Sequence, residues 1–157
     1  MRYRALIFDD QKEVRQMMWN LFDSRGYEVF TFPHPGICPL FDERRCPCPE
    51  GQSCSGIIIA DVQMPFKNGL SFLEEQISKG CRCNHIALMS GDFMKEDIIK
   101  AESLNITTFK KPFQLADIIN WINQIEKDIS PERKLADWFS KRIEEEKIDP
   151  EQFLFNL

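Results

Sequence analysis

At 157 residues the chain suits one domain, large enough to bury a core without needing disulfides or a metal to fold. Its net charge is −5 and its basic residues cluster no further than pairs such as Arg44 with Arg45 or Lys110 with Lys111, so direct nucleic-acid binding, which needs a basic face, is not expected. No apolar run approaches the ~20 residues of a membrane span, and the N-terminus turns acidic at Asp9 without a small-residue cleavage site, so a cytoplasmic chain with no membrane partner is expected.

In chain order, short apolar runs alternate with amphipathic segments. "RALIF" (4–8), "YEVFTF" (27–32), "GIIIA" (56–60), "HIALMS" (85–90) and "ITTF" (106–109) read as strands, several of them apolar enough to be covered on both faces. Between the first two, residues 12–26 place Val14, Met17, Met18, Leu21 and Phe22 at helical spacing, with Gly26 as a stop signal. Segments 69–80, 95–105 and 114–129 follow the same pattern. Five βα units predict an α/β fold with a parallel sheet and helices on both faces.

The second unit departs from the rule. Residues 33–56 hold five prolines and three glycines and leave room for one short helical piece, about 39–45, opened by Pro39. This Cys-rich segment (37–56) replaces or distorts the second helix. After Ile129, Ser130 followed by Pro131 predicts a sixth helix running to about Lys147, outside the five-unit pattern.

Ligands of open α/β sheets bind at the carboxyl ends of the strands. There the sequence puts Asp9 and Asp10 after the first strand, Asp61 after the third, Ser90 after the fourth and Lys111 after the fifth. Three converging carboxylates repel one another unless a hard cation such as Mg²⁺ joins them, and a carboxylate beside that ion can attack a phosphoryl group. The lysine and hydroxyl then suit the phosphoryl oxygens. Taken singly, each residue has a plainer reading: Asp10 with Glu13 fits a helix N-cap and capping box, Asp61 and Ser90 fit turns, and Lys111 fits a solvated charge. Their joint placement at four strand ends favours the chemical reading.

The pair "DD" at 9 and 10, "IIIADVQMPFKNG" at 57–69, "LMSG" at 88–91 and "FKKPF" at 109–113 together resemble the receiver domain of two-component response regulators, over about residues 4–127. The resemblance implies a flavodoxin-like doubly wound sheet of order 2-1-3-4-5, carried by a receiver domain of residues 1–129. It implies that Asp61 is the phosphoacceptor, and that Asp9, Asp10, Asp61 and the backbone carbonyl of Gln63 hold Mg²⁺ (or Mn²⁺). Ser90 and Lys111 would take the phosphoryl oxygens, Gly69 would serve the turn into the third helix, and a cis peptide would precede Pro112. The implied partners are a sensor histidine kinase or phosphotransfer protein and a downstream protein, with the chain acting as a switch rather than an enzyme. One departure stands out. The family's usual aromatic residue three positions before the lysine is Thr108 here, and Phe109, one place later, is expected to substitute in part.

The segment 130–157 is too short for a separate effector module. It sets Leu135, Trp138, Phe139 and Ile143 on one stripe, followed by Phe153, Leu154, Phe155 and Leu157, to be covered by the domain itself or by a partner, a second copy included. Two other classes stay open: an aspartate-nucleophile phosphatase, whose spaced aspartate pair is absent because Gln11 follows Asp10, and a metal- or thiol-based redox sensor.

The sensor reading draws on the cysteines. Cys46, Cys48 and Cys54 lead into the third strand, while Cys81 and Cys83 lead into the fourth, so adjacent strands would bring them together at the end of the sheet opposite Asp61. Cys38 would lie farther off. Both close pairs are CxC and not the CxxC of common zinc sites, so zinc or another metal, a disulfide and free thiols all remain open.

Overall fold

The computed structural model describes residues 3–130, 132–149 and 151. Five parallel strands, β1 (Tyr3–Phe8), β2 (Tyr27–Phe32), β3 (Ile57–Asp61), β4 (Ile86–Ser90) and β5 (Thr107–Lys110), form one sheet in the order β2-β1-β3-β4-β5. The flavodoxin-like order expected from the sequence is therefore present. The period-two alternation of the strands divides the core. Ala5, Ile7, Ile57, Ile59, Ala87 and Met89 face helices α1 (Lys12–Ser24) and α5 (Leu115–Glu126), packing on Met18, Phe22, Ile118 and Ile122. Leu6, Phe8, Ile58, Ala60 and Leu88 face the other side, where α3 (Gly69–Ser78) brings Phe72 and Leu73 and α4 (Lys95–Ser103) brings Ala101. Covering both faces is what permits continuous apolar strands.

The second helix is reduced to α2 (Pro39–Asp42), preceded by a single 3₁₀ turn at Pro35–Ile37. Residues 43–56, with Pro47 and Pro49, run on without regular structure.

The C-terminal helix starts later than its sequence signal. α6 spans Asp137–Glu145, not a helix from Ser130, and Pro131 itself lies outside the described residues. The reason is a backbone contact: Ala136 N–H donates to the Ser53 carbonyl (2.8 Å) and Leu135 bridges Ser53, so this stretch is held extended against the Cys-rich segment. Leu135 thereby leaves the helical stripe, and Phe139 and Ile143 carry it into the core beside Phe30 and Leu40. Phe153, Leu154, Phe155 and Leu157 lie outside the described residues. Arg4 fastens this layer to the sheet. It is buried, donates to the Cys54 carbonyl (2.8 Å) and Ser140 Oγ (2.8 Å), pairs with Glu28, and lies 5.0 Å from the centre of the Phe139 ring.

Candidate functional site

The carboxyl ends of the strands carry the expected constellation. Asp9 ends β1 with no exposed surface; its Oδ1 accepts the Gln11 N–H (2.8 Å) and its Oδ2 accepts Lys111 Nζ (2.7 Å). Asp10, next along, is exposed. Asp61 ends β3, and Lys111 Nζ lies 3.4 Å from its Oδ1. One carboxylate oxygen from each of Asp9, Asp10 and Asp61 falls within 4.8 Å of the others. The expected N-cap at Asp10 is not formed: α1 begins after Gln11, which offers no side-chain cap, and the turn is closed by Asp9 instead.

The electrostatics follow from this crowding. Burial, then the charge of Asp9, raises the Asp61 carboxyl to about 6, with Lys111 opposing the rise. Burial also raises Asp9, again against Lys111 and the Gln11 N–H. Two buried acids that resist ionisation next to a third carboxylate make a site in which a divalent cation would relieve desolvation and repulsion together. The donor set therefore fits Mg²⁺ or Mn²⁺, which prefer carboxylate oxygen, a carbonyl and waters.

Several features position these groups. The sequence reading missed Arg15, which has no exposed surface and whose Nη1 donates to the carbonyls of Asp9 (2.9 Å) and Asp10 (3.0 Å), fixing the turn from below. Its signal was present: Arg15, Met18 and Phe22 share one helical face, so the guanidinium had to point inward. Gly69 is required by close approach, since a Cβ there would stand 1.9 Å from the Asp61 carbonyl oxygen. Asn68 caps α3 through hydrogen bonds from Leu70 N–H (2.8 Å) and Ser71 N–H (3.3 Å), so the loop from Val62 enters the helix in a fixed direction.

Ser90, buried at the end of β4, accepts the Asp92 N–H (3.0 Å), and Lys111 N–H donates to the Ser90 carbonyl (2.8 Å). The Lys111–Pro112 peptide is cis. Asp10, Gln11, Asp61, Gln63, Gly91 and Lys111 line an open crevice of ≈ 640 Å³, floored by Val14, Met17, Pro112 and Phe113. Thr108 and Phe109 part company. Thr108 opens onto a separate pocket of ≈ 250 Å³ with Asp92, Phe93, Ile98 and Lys110, whereas Phe109 packs against Trp121 of α5 on the opposite face (5.6 Å between rings). Adjacent strand residues point to opposite faces, so Phe109 does not substitute for an aromatic at 108.

Cys46, Cys48 and Cys54 lie in the connection that enters β3 and Cys81 and Cys83 in the one that enters β4, whereas Cys38 follows β2. All six are free thiols, with Cys38, Cys48, Cys54 and Cys83 buried.

A five-stranded parallel sheet of this order is the fold that response-regulator receiver domains share. No protein-family model matches the chain, and no curated protein matches it by sequence. Solved structures do. The chemotaxis protein CheY4 of Vibrio cholerae is similar with a TM-score of 0.61 at 21% identity, covering 80% of this chain and 99% of that one. The receiver domain of Francisella response regulator 1452 matches with a TM-score of 0.63 at 20% identity, over 81% and 98%. The HemR receiver domain of Leptospira biflexa gives 0.65 at 14% identity, over 83% and 98%. Among the described residues, no helix is long and apolar enough to cross a membrane.

Proposed function

We propose that the chain is a phosphoacceptor switch: a receiver domain that takes a phosphoryl group onto Asp61 from a phosphohistidine of a sensor kinase or phosphotransfer protein. The observation that carries this reading is the meeting of Asp9, Asp10 and Asp61 within 4.8 Å, with Lys111 reaching both Asp9 and Asp61. Asp9, Asp10, Asp61 and the Gln63 carbonyl would hold Mg²⁺, which supplies charge neutralisation at the incoming phosphoryl group.

The chain's own groups define the rest. An Asp61 carboxylate oxygen attacks phosphorus as the P–N bond of the donor breaks, leaving an aspartyl phosphate and a neutral imidazole once the ring nitrogen takes up a proton. Lys111 donates to the new phosphoryl oxygens, and Ser90, one residue from the crevice-lining Gly91, moves its hydroxyl towards them. That movement breaks the bond from Asp92 N–H and shifts the start of α4. Ile99 on α4 is 57% exposed and Leu115 at the start of α5 is 42% exposed, which suits a surface whose affinity for a downstream protein changes with the loop.

The test uses acetyl phosphate with Mg²⁺ and intact-protein mass measurement. One phosphoryl group per chain, lost in alkali and released by hydroxylamine, supports the reading, and Asp61→Asn should give none. Modification that persists in Asp61→Asn overturns it.

A further inference from the structure

The cysteines form a second polar centre that the phosphoacceptor chemistry leaves unused. Two hydrogen bonds clamp the connection before β3 to the one before β4: Cys46 N–H donates to the Lys79 carbonyl (2.9 Å), and Arg82 Nε donates to the Cys48 carbonyl (3.1 Å). This joins the two CxC pairs. The Cys48 sulfur accepts the Cys54 N–H (3.2 Å) and the Trp138 indole N–H from α6 (3.1 Å). Amide and indole donors aimed at one sulfur are the kind of outer-shell contact that orients a metal-bound thiolate. Cys46 and Cys81 lie on the two connections that the clamp holds together. Cys83 is turned aside, with its thiol on the His85 carbonyl (3.6 Å), and Cys38 lies apart beside α6, near Glu146 and Arg142.

We propose that Cys46, Cys48, Cys54 and Cys81 bind one thiophilic divalent cation of the zinc class, which joins the Cys-rich segment to the β4 connection and to α6. Soft thiolate sulfur selects such an ion over the Mg²⁺ suited to the aspartates. The acidic trio is the group of potential ligands within 4.8 Å among the described residues, so the sulfurs stand farther apart than a bound ion would hold them. Binding draws them in by rotation of side chains on irregular backbone. Four thiolates on a divalent ion leave a net negative charge, which Arg82 and Arg133 at the border of the cluster offset.

The experiment is metal analysis of the full chain purified without oxygen, followed by chelation and titration with Co²⁺ and then Zn²⁺. The expected result is one ion per chain, sulfur-to-cobalt charge-transfer absorption with tetrahedral visible bands, and release of protons to the buffer. Cys46→Ser and Cys81→Ser should each weaken binding by about tenfold or more, while Cys38→Ser and Asp61→Asn retain it. Folding of each variant is checked by circular dichroism, and the titration of the unsubstituted chain decides the matter if a variant is unfolded. A chain that carries no metal and binds neither Co²⁺ nor Zn²⁺, or one that yields disulfides in their place, overturns the proposal. So does full binding by both serine variants. Asp61 chemistry is measured separately, so neither result depends on the other.

Discussion

Lys111 Nζ stands 2.7 Å from Asp9 Oδ2, nearer than its 3.4 Å to Asp61 Oδ1, so the lysine is engaged by one of the carboxylates proposed to hold the cation. On that reading ammonium and Mg²⁺ would compete for Asp9 before phosphorylation and cooperate after it. Lys111→Met should leave Mg²⁺ affinity unchanged or raised, yet weaken beryllofluoride binding by about tenfold or more, the size of a lost hydrogen bond to a charged group. Fluorescence titration with Mg²⁺ alone and then with beryllofluoride separates the two effects. Equal losses in both would contradict the geometry.

Stability should fall with rising pH in the metal-free protein. Asp61 has its ordinary value of 3.8 unfolded and about 6 folded, so the folded state binds the extra proton. This favours folding below about pH 4 and is lost as pH rises through 6. A saturating cation reverses the preference, since it binds the ionised form. Melting temperatures across this range, with chelator and with Mg²⁺, should diverge as pH rises, and Asp61→Asn should lose this part of the slope in chelator.

Arg15 is the side chain on which the acidic turn rests. Removing its guanidinium by Arg15→Met frees the Asp9 and Asp10 carbonyls. The expected loss is about 10- to 100-fold in Mg²⁺ affinity, as for other groups that orient ligands without touching the ion. Calorimetric titration measures it.

Gly69→Ala drives a methyl group into the Asp61 carbonyl, which is backbone and cannot rotate away. The expected cost is about 1–3 kcal/mol in urea unfolding, together with slower phosphorylation of the displaced Asp61. Thr108→Tyr should be tolerated instead. The ≈ 250 Å³ pocket shared with Phe93 and Ile98 can receive a ring, so unfolding should change by less than about 1.5 kcal/mol.

Periodicity made the sheet legible, because strands buried on both faces must be nearly all apolar and helices between them must repeat at 3.6 residues. The acidic site was legible for a related reason: strand ends converge in this topology, so Asp9, Asp10, Asp61 and Lys111 needed only correct strand boundaries. What escaped depended on long-range contacts. The start of α6 is set by Ser53, more than eighty residues away, and no local signal opposes the helix that Ser130 and Pro131 suggest. Phe109 was misjudged because one residue along a strand reverses the face, a distinction lost when nearness in sequence stands for nearness in space. Trp138 packs on the apolar core as its place in the stripe predicts, but the bond from its indole N–H to Cys48 was not legible in the stripe.

Phosphorylation of Asp61 is the claim on which the switch depends. Treatment with acetyl phosphate and Mg²⁺, followed by mass measurement of the intact chain and peptide mapping, tests it most directly. One phosphoryl group on the peptide that contains Asp61, absent without Mg²⁺ and absent in Asp61→Asn, is the predicted result. An unmodified chain that nevertheless binds Mg²⁺, or a phosphoryl group on any other residue, would contradict the account.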